Sequence, residues 1–195
     1  MSGTVESLQP TAPGAGRLYS YQELCELLPE TNRPHELWDG ELIMVPAPFY
    51  PHQKIVFRFQ KLLDQWVEIR GLGEVVGAPV DMVLSPHRTV QPDVVFIAKE
   101  RLGIIQRGIM GAADLVVEVV SPGGRRRDRI DKKDLYEQYG VKEYWIVDPE
   151  ARTVEVLAMS NSRYELTMRC GPGQTAASTV LPGFEVTVDQ LFHGV

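Results

Sequence analysis

The hydrophobic positions of the chain predict a long helix, a group of buried strands and a second helix. Between His52 and Val67 the apolar residues recur at helical spacing, so we expect an amphipathic helix of about four turns. Strands are expected around residues 75–84, 90–97 and 115–120. The last two are almost continuously apolar, as in strands buried on both faces. The charged segment from Arg125 to Gly140 predicts the second helix, with Gly140 as its C-cap.

Turn signals predict further strands around this core. Asp39-Gly40 lies between two apolar stretches and is a strong signal for a β-hairpin. After the second helix, a strand is expected at Glu143 to Val147, and strands of a meander or of hairpins at 153–158, 163–168 and 184–188. This order of elements predicts an α/β fold with a mixed sheet flanked by helices and additional β-hairpins.

The start of the chain predicts a tail followed by one domain. Residues 1–16 are rich in Pro, Gly, Ser and Thr, which is typical of a flexible tail. Residues 17–195 have the length of a single domain. A short helix is expected directly after the tail, because Ser20 and Glu23 form a capping-box pattern and Pro29 marks an end.

Composition narrows the functional classes only slightly. The net charge of −6 counts against a general nucleic-acid binder, because affinity for phosphate backbones depends largely on Lys and Arg. It does not exclude a local basic patch, and acidic residues also cluster where a protein holds a divalent cation. No apolar run could cross a bilayer, and the first residues lack the features of a secretory signal. We therefore expect a cytoplasmic protein that is not bound to a membrane.

Two acidic residues lie where the pattern predicts buried strands. Asp93 directly precedes an apolar run, and Glu118 interrupts another. A carboxylate is costly to bury unless it is paired or bound to a metal. For either residue alone, a buried salt bridge or a strand end that reaches solvent is an equally good explanation. As a pair on neighbouring strands, they could bind one face of a Mg²⁺ ion and leave its other positions for water and a phosphate.

The segment after Glu118 carries many positive charges. In a helix, Arg125, Arg129, Lys132 and Lys133 would fall within two turns. Cleavage of a phosphodiester needs a positive group near the developing negative charge. A charge run of this kind is more often a solvated helix face, and composition alone favours that interpretation.

Motifs in a fixed order run through most of the chain. They are Glu36-x-x-Asp39-Gly40-Glu41, Pro48-x-x-x-His52-Gln53, Gln91-Pro92-Asp93-Val94, Glu118-Val119-Val120-Ser121-Pro122, Asp128-x-x-x-Lys132-x-x-x-Tyr136, Gly140-Val141-x-Glu143-Tyr144-Trp145-Ile146-Val147-Asp148-Pro149 and Leu181-Pro182-Gly183-Phe184. A lone Pro-Asp carries little information, but the ordered series resembles the Uma family of restriction endonucleases. That family belongs to the PD-(D/E)XK nuclease superfamily.

The resemblance implies a core of helix, three strands, helix and strand, and it implies a site. The family's metal-binding Asp falls on Asp93, and its Glu falls on Glu118. The superfamily's lysine normally lies two residues after that Glu, where this chain has Val120. In Uma-type proteins the lysine is moved to the following helix, where Lys132 matches the spacing and Lys133 is the fallback.

Two accessory residues also match family positions. Glu36 is either a further acid of the metal site or an exposed residue of the hairpin. His52 could bind a substrate phosphate or orient water, and a helix residue satisfied by local hydrogen bonds is an equally good interpretation. Three aromatic residues are expected in the core rather than stacked on bases: Tyr136, Tyr144 and Trp145.

The sequence therefore predicts an endonuclease that hydrolyses phosphodiester bonds in DNA, with Mg²⁺ or Mn²⁺ as its cofactor. A homodimer is the default, because two sites can address two strands. The alternative is a catalytically inactive nuclease-fold protein that binds nucleic acid or a protein partner, which the missing Glu-x-Lys arrangement and the acidic charge favour. A third candidate, another Mg²⁺-dependent phosphohydrolase, is weaker, and no Gly-rich phosphate loop supports a nucleoside triphosphatase.

Overall fold

The computed structural model describes residues 16–28, 34–122 and 126–195. Residues 1–15 of the expected tail, the expected helix end at Pro29, and Arg125 lie outside the described residues. The helices are α1 (Tyr21–Leu27), α2 (Tyr50–Arg70), α3 (Lys132–Tyr139) and α4 (Val188–Phe192). The strands are β1 (His35–Trp38), β2 (Glu41–Met44), β3 (Gly73–Gly77), β4 (Met82–Ser85), β5 (Arg88–Val90), β6 (Val94–Ala98), β7 (Ile109–Met110), β8 (Leu115–Val119), β9 (Glu143–Asp148), β10 (Thr153–Ser160), β11 (Arg163–Cys170), β12 (Thr175–Ala177) and β13 (Glu185–Thr187).

Six strands form the central sheet in the order β11-β10-β9-β8-β6-β3. The neighbours β8 and β9 are parallel, and the other pairs are antiparallel. A second sheet has the order β2-β1-β5-β4-β7, and β12 pairs with β13. The predicted α/β fold with a mixed sheet is thereby confirmed.

Both faces of the central sheet are covered by hydrophobic layers. On one face Val94 and Val117 pack in a layer with Phe59 of α2. On the other face Val95 packs in a layer with Tyr136 of α3 and with residues of the second sheet. Because consecutive side chains of a strand point to opposite faces, burial on both faces explains the continuous apolar runs of β6 and β8.

Local sequence signals position several elements as expected. Asp39 and Gly40 join β1 to β2 with φ angles of 51° and 87°, the left-handed conformation that a tight hairpin turn requires. Ser20 and Glu23 form the reciprocal hydrogen bonds of a capping box at α1. Gly140 ends α3 in a left-handed conformation, as predicted for its C-cap.

Two expected strands are wrong in their continuity. Residues 75–84 divide into β3 and β4, and residues 90–97 divide into β5 and β6, with the two parts in different sheets. Pro79 and Pro92 lie between the parts, and proline cannot donate a hydrogen bond to a sheet. The charged helix begins with a π-helical segment, Arg127–Asp131, before α3. No helix in the described part of the chain is long and apolar enough to cross a membrane.

The buried carboxylate of Asp114, directly before β8, contacts three segments of the chain. Asp114 is fully buried, and its Oδ1 lies 2.9 Å from Arg101 Nη1 and 2.8 Å from Lys142 Nζ. Ala98 N donates to Asp114 Oδ2 at 2.9 Å. Burial alone would raise the pKa of Asp114, but the Ala98 hydrogen bond and the two cations outweigh it and lower the pKa. The ionised form of Asp114 is therefore stabilised by folding.

The substitution Asp114→Asn should lower the free energy of unfolding by about 1.5–3 kcal/mol at neutral pH, because it removes the negative charge that Ala98 N, Arg101 and Lys142 stabilise. The lowered pKa means that this contribution is complete above the ordinary Asp value of 3.8 and is lost as the pH falls through the folded-state pKa. Urea unfolding from neutral to acidic pH measures the difference. Asp64→Asn, on the exposed face of α2, is the matched control and should change little. A difference that grew on acidification would contradict the assignment.

Candidate active site

The central sheet brings Asp93 and Glu118 side by side. Strands β6 and β8 pair with Val94 opposite Val117, so Asp93, directly before β6, lies level with Glu118. Val119 N donates to Asp93 Oδ2 at 2.7 Å, which fixes the aspartate against the neighbouring strand. The predicted adjacency of the two strands, with α2 and α3 packed on opposite faces of the sheet, is confirmed.

Glu118 is buried and shares one oxygen between two donors. Its Oε1 lies 2.7 Å from Lys132 Nζ and accepts a hydrogen bond of 2.6 Å from the hydroxyl of Tyr136. Burial raises the pKa of Glu118 to about 8, with Lys132 opposing this shift and the negative charges of Asp93 and Asp128 adding to it. The ionised form of Glu118 is therefore disfavoured in this cluster.

Lys132 is the central cation of the cluster. Its Nζ lies 3.4 Å from Glu36 Oε1 and 3.9 Å from Asp128 Oδ1, in addition to its contact with Glu118. Burial would lower the pKa of Lys132, but the surrounding carboxylates outweigh it and raise the pKa. Only 6% of this lysine is exposed, so the interpretation of the charge run as a solvated face is wrong at this position. Lys133 is half-buried and makes none of these contacts.

Both carboxylate oxygens of Glu36 contact positively charged or hydrogen-bonding groups, and Oε1 is the one that faces Lys132. Trp38 Nε1 donates to Glu36 Oε2 at 2.8 Å, and the guanidinium of Arg127 contacts the same oxygen. Burial would raise the pKa of Glu36, but Lys132 and Arg127 outweigh it and lower the pKa. The expectation of an exposed hairpin residue is wrong, because only 2% of Glu36 is exposed. Its contacts make it a counter-ion for Lys132 and Arg127.

His52 reaches the site from the first turn of α2. Its Nε2 lies 3.3 Å from Asp93 Oδ2, and its Nδ1 is buried without a hydrogen-bond partner among the described residues. Burial would lower the pKa of His52, but Asp93 outweighs it and raises the pKa. The sequence indicated His52 as a possible site residue. The structure places its Nε2 beside Asp93.

These side chains line one cleft of about 1040 Å³. Its floor carries the predicted site residues together with Asp128, whose pKa is raised by burial and by Asp93 and Glu36, against the opposing effect of Lys132. The carboxyl end of β8 forms one border of the cleft, and the N-terminal turn of α2 forms another. The sheet and two helices therefore deliver acids and a cation to one concave surface.

The oxygen ligands of the floor are compatible with a hard divalent cation. Asp93 Oδ1 and Glu118 Oε2 accept no hydrogen bond from the described residues, and their other oxygens are engaged. Within the described ranges, however, no three His, Cys, Asp or Glu side chains form a ready metal cage. A hard cation such as Mg²⁺ keeps several water ligands and takes one or two carboxylates from a protein, and Asp93 and Glu118 are the residues here that could hold one.

Sequence reasoning assigned no role to two residues that the fold brings into the cluster. Asp128 and Tyr136 lie four residues before and four residues after Lys132, so all three share one face of the helical segment. Tyr136 was expected in the core and is fully buried, yet its hydroxyl bonds Glu118. The spacing around Lys132 was the available signal for both residues.

Comparison with known proteins agrees with this architecture. The chain superposes on the crystal structure of a "putative nuclease" from Anabaena variabilis with a TM-score of 0.74 and 19% sequence identity, covering 89% of this chain and 97% of that one. At this identity the likeness concerns the fold. No curated protein matches. The model of the Uma2 family, described as "Putative restriction endonuclease", matches residues 19–189, and the chain therefore belongs to the Uma2 family.

Proposed function

We propose that the protein is a Mg²⁺-dependent endonuclease that hydrolyses phosphodiester bonds in DNA. The observation that carries the proposal is the pairing of Asp93 with Glu118 on adjacent strands, beside the buried ammonium of Lys132. Membership of the Uma2 family supports a nucleic acid as the substrate. The cytoplasm is its proposed location, as expected from the sequence.

Asp93 and Glu118 would hold the ion through the oxygens that face no described donor. A bound Mg²⁺ supplies electrophilic activation of the phosphoryl oxygen and neutralises charge on the leaving oxygen. His52 orients Asp93 through Nε2, and Val119 N holds the same carboxylate oxygen. Because both contacts involve Oδ2, Oδ1 of Asp93 would be the oxygen that binds the ion. Mn²⁺, which also accepts oxygen ligands, is the natural substitute in experiments.

Lys132 supplies the positive charge of the site. A preorganised cation stabilises the negative charge that develops on the phosphoryl oxygens without a cost of reorganisation during the reaction. Glu36, Glu118 and Asp128 hold the ammonium in place from three sides. Tyr136 donates to the same oxygen of Glu118 as Lys132 and so fixes the orientation of the carboxylate.

One observation favours a second candidate, a protein that binds nucleic acid without cutting it. Lys132 already neutralises part of the acidic cluster, and the described residues contain no ready group of three metal ligands. Incubation of the purified protein with plasmid and with single-stranded DNA, in Mg²⁺, Mn²⁺ or EDTA, separates the two candidates. Divalent-dependent cleavage supports the enzyme, and binding without cleavage under every condition supports the binder.

The substitutions Asp93→Asn and Glu118→Gln should each abolish Mn²⁺ binding in titration calorimetry, because each removes a charged oxygen ligand. Both variants should also lose cleavage. Glu165→Gln, an exposed acid on β11, is the matched control and should bind Mn²⁺ as the wild type does. Unchanged Mn²⁺ affinity in either site variant would refute the two-carboxylate site, whatever the outcome of the cleavage assay.

The substitution Lys132→Ala should lower the cleavage rate by about 10²- to 10³-fold, the typical effect of losing one preorganised electrostatic contact. It should also lower the free energy of unfolding by about 3–5 kcal/mol, because the buried carboxylates lose their counter-ion. Both effects are measurable, by urea unfolding and by a cleavage assay below the melting temperature of the variant.

Lys133→Ala is the control for this experiment, since a step of one residue rotates a side chain by roughly 100° around the helix. It should retain both stability and cleavage. A Lys132→Ala protein that cuts at the wild-type rate would remove Lys132 from the mechanism. A variant that is destabilised yet fully active would leave it a structural role alone.

A further inference from the structure

One wall of the cleft differs chemically from its floor. The chain between β2 and α2 supplies this wall as a run of apolar residues, Val45-Pro46-Ala47-Pro48-Phe49. Phe49 is 71% exposed although it borders the cluster of acids. An aromatic ring that borders a cleft is available to stack on the face of a base.

The stability of the fold does not account for Phe49. The residue occupies the N-cap of α2 and makes no side-chain hydrogen bond to the helix. Ser, Thr, Asp or Asn at this position would satisfy a free backbone N–H of the first turn. An exposed phenylalanine supplies neither this hydrogen bond nor the gain of burial, so neither capping nor core packing explains Phe49.

The described cations of the cleft are already paired with its carboxylates. Among the described lining residues, six are acidic and the cationic ones are His52, Arg127 and Lys132. Arg127 pairs with Glu36, Lys132 with its three carboxylates, and His52 with Asp93. Affinity for duplex DNA depends largely on neutralising many phosphates, and these committed cations cannot provide it. Stacking contacts with the bases would therefore add to the few phosphate contacts that these described residues offer.

We infer that the cleft takes an unpaired segment of nucleic acid, with one base stacked on the ring of Phe49 beside the acidic floor. In a duplex the faces of each base are covered by its neighbours, so Phe49 can stack only on a base that is unpaired or at a frayed end. Stacking on an aromatic ring tolerates every base, so the preference concerns strandedness rather than sequence. The inference rests on the proposed function and names its substrate class.

This substrate class also changes the expected assembly. A homodimer is the default for an enzyme that must cut both strands of a duplex. A cleft that accepts one unpaired strand requires no second active site to complete its reaction.

The test is binding of a fluorescein-labelled oligonucleotide in EDTA, where no cleavage occurs, followed by fluorescence anisotropy. The single strand and its duplex are compared for the wild type, Phe49→Ala, Phe49→Trp and Phe57→Ala. Phe57 is the matched control, because it is 60% exposed on α2 but does not line the cleft. Phe49→Ala should weaken binding of the single strand by about 5- to 100-fold, the effect of losing one stacked base. Phe49→Trp should restore it, and Phe57→Ala should match the wild type. The wild type should bind the duplex more weakly than the single strand, and Phe49→Ala should lose most of this difference.

Equal binding of the single strand by Phe49→Ala and the wild type would overturn the inference, as would tighter binding of the duplex by the wild type. Failure of the proposed function gives a different result. In that case the wild type binds the single strand through Phe49 but cuts nothing in Mg²⁺ or Mn²⁺. Conversely, cleavage of duplex plasmid at the same rate by the wild type and Phe49→Ala would support the nuclease and refute the stacking site.

Discussion

The ammonium of Lys132 lies 2.7 Å from Glu118 and joins α3 to the central sheet in a region from which water is largely excluded. Burying an ion is expensive, and attraction between buried charges offsets that cost only when further polar contacts satisfy both partners. Tyr136 and Glu36 provide such contacts. Removing Lys132 would leave Glu118 as a buried acid without its counter-ion.

The carboxylates of this cluster also influence one another's ionisation. Glu118 and Asp128 have raised pKa values, because burial and neighbouring acids both disfavour their ionised forms. Under the proposed function, a divalent cation bound between these carboxylates would favour their ionised forms. The charges around Lys132 stabilise the fold, and they also form the proposed active site. A substitution at Lys132 is therefore expected to lower both the free energy of unfolding and the cleavage rate.

Neighbouring ion pairs determine where the π-helical segment places Lys132 and Asp128. Arg129 Nη1 contacts both oxygens of Glu155 at 3.0 and 2.9 Å, while its Nη2 lies 3.0 Å from Asp148 Oδ2. These contacts tie the segment to β9 and β10. A π-helical turn carries more residues than an α-helical turn, so it shifts the side chains that follow around the helix axis, and such turns are frequent at functional sites.

Local patterns in the sequence determined the elements whose causes are local: the hairpin at Asp39-Gly40, the capping box at Ser20 and the end of α3 at Gly140. The apolar runs identified Asp93 and Glu118 as candidates, because a charged residue in such a run demands a partner. The family resemblance of the ordered motifs added Lys132. Tertiary structure decided what those partners are. The burial of Glu36 and the contact of His52 with Asp93 depend on elements far apart in the chain, whose approach no local spacing encodes. The tertiary structure also determined that two apolar runs divide between separate sheets. A proline in the sequence indicates that a strand ends, but it does not indicate which strand the following residues pair with.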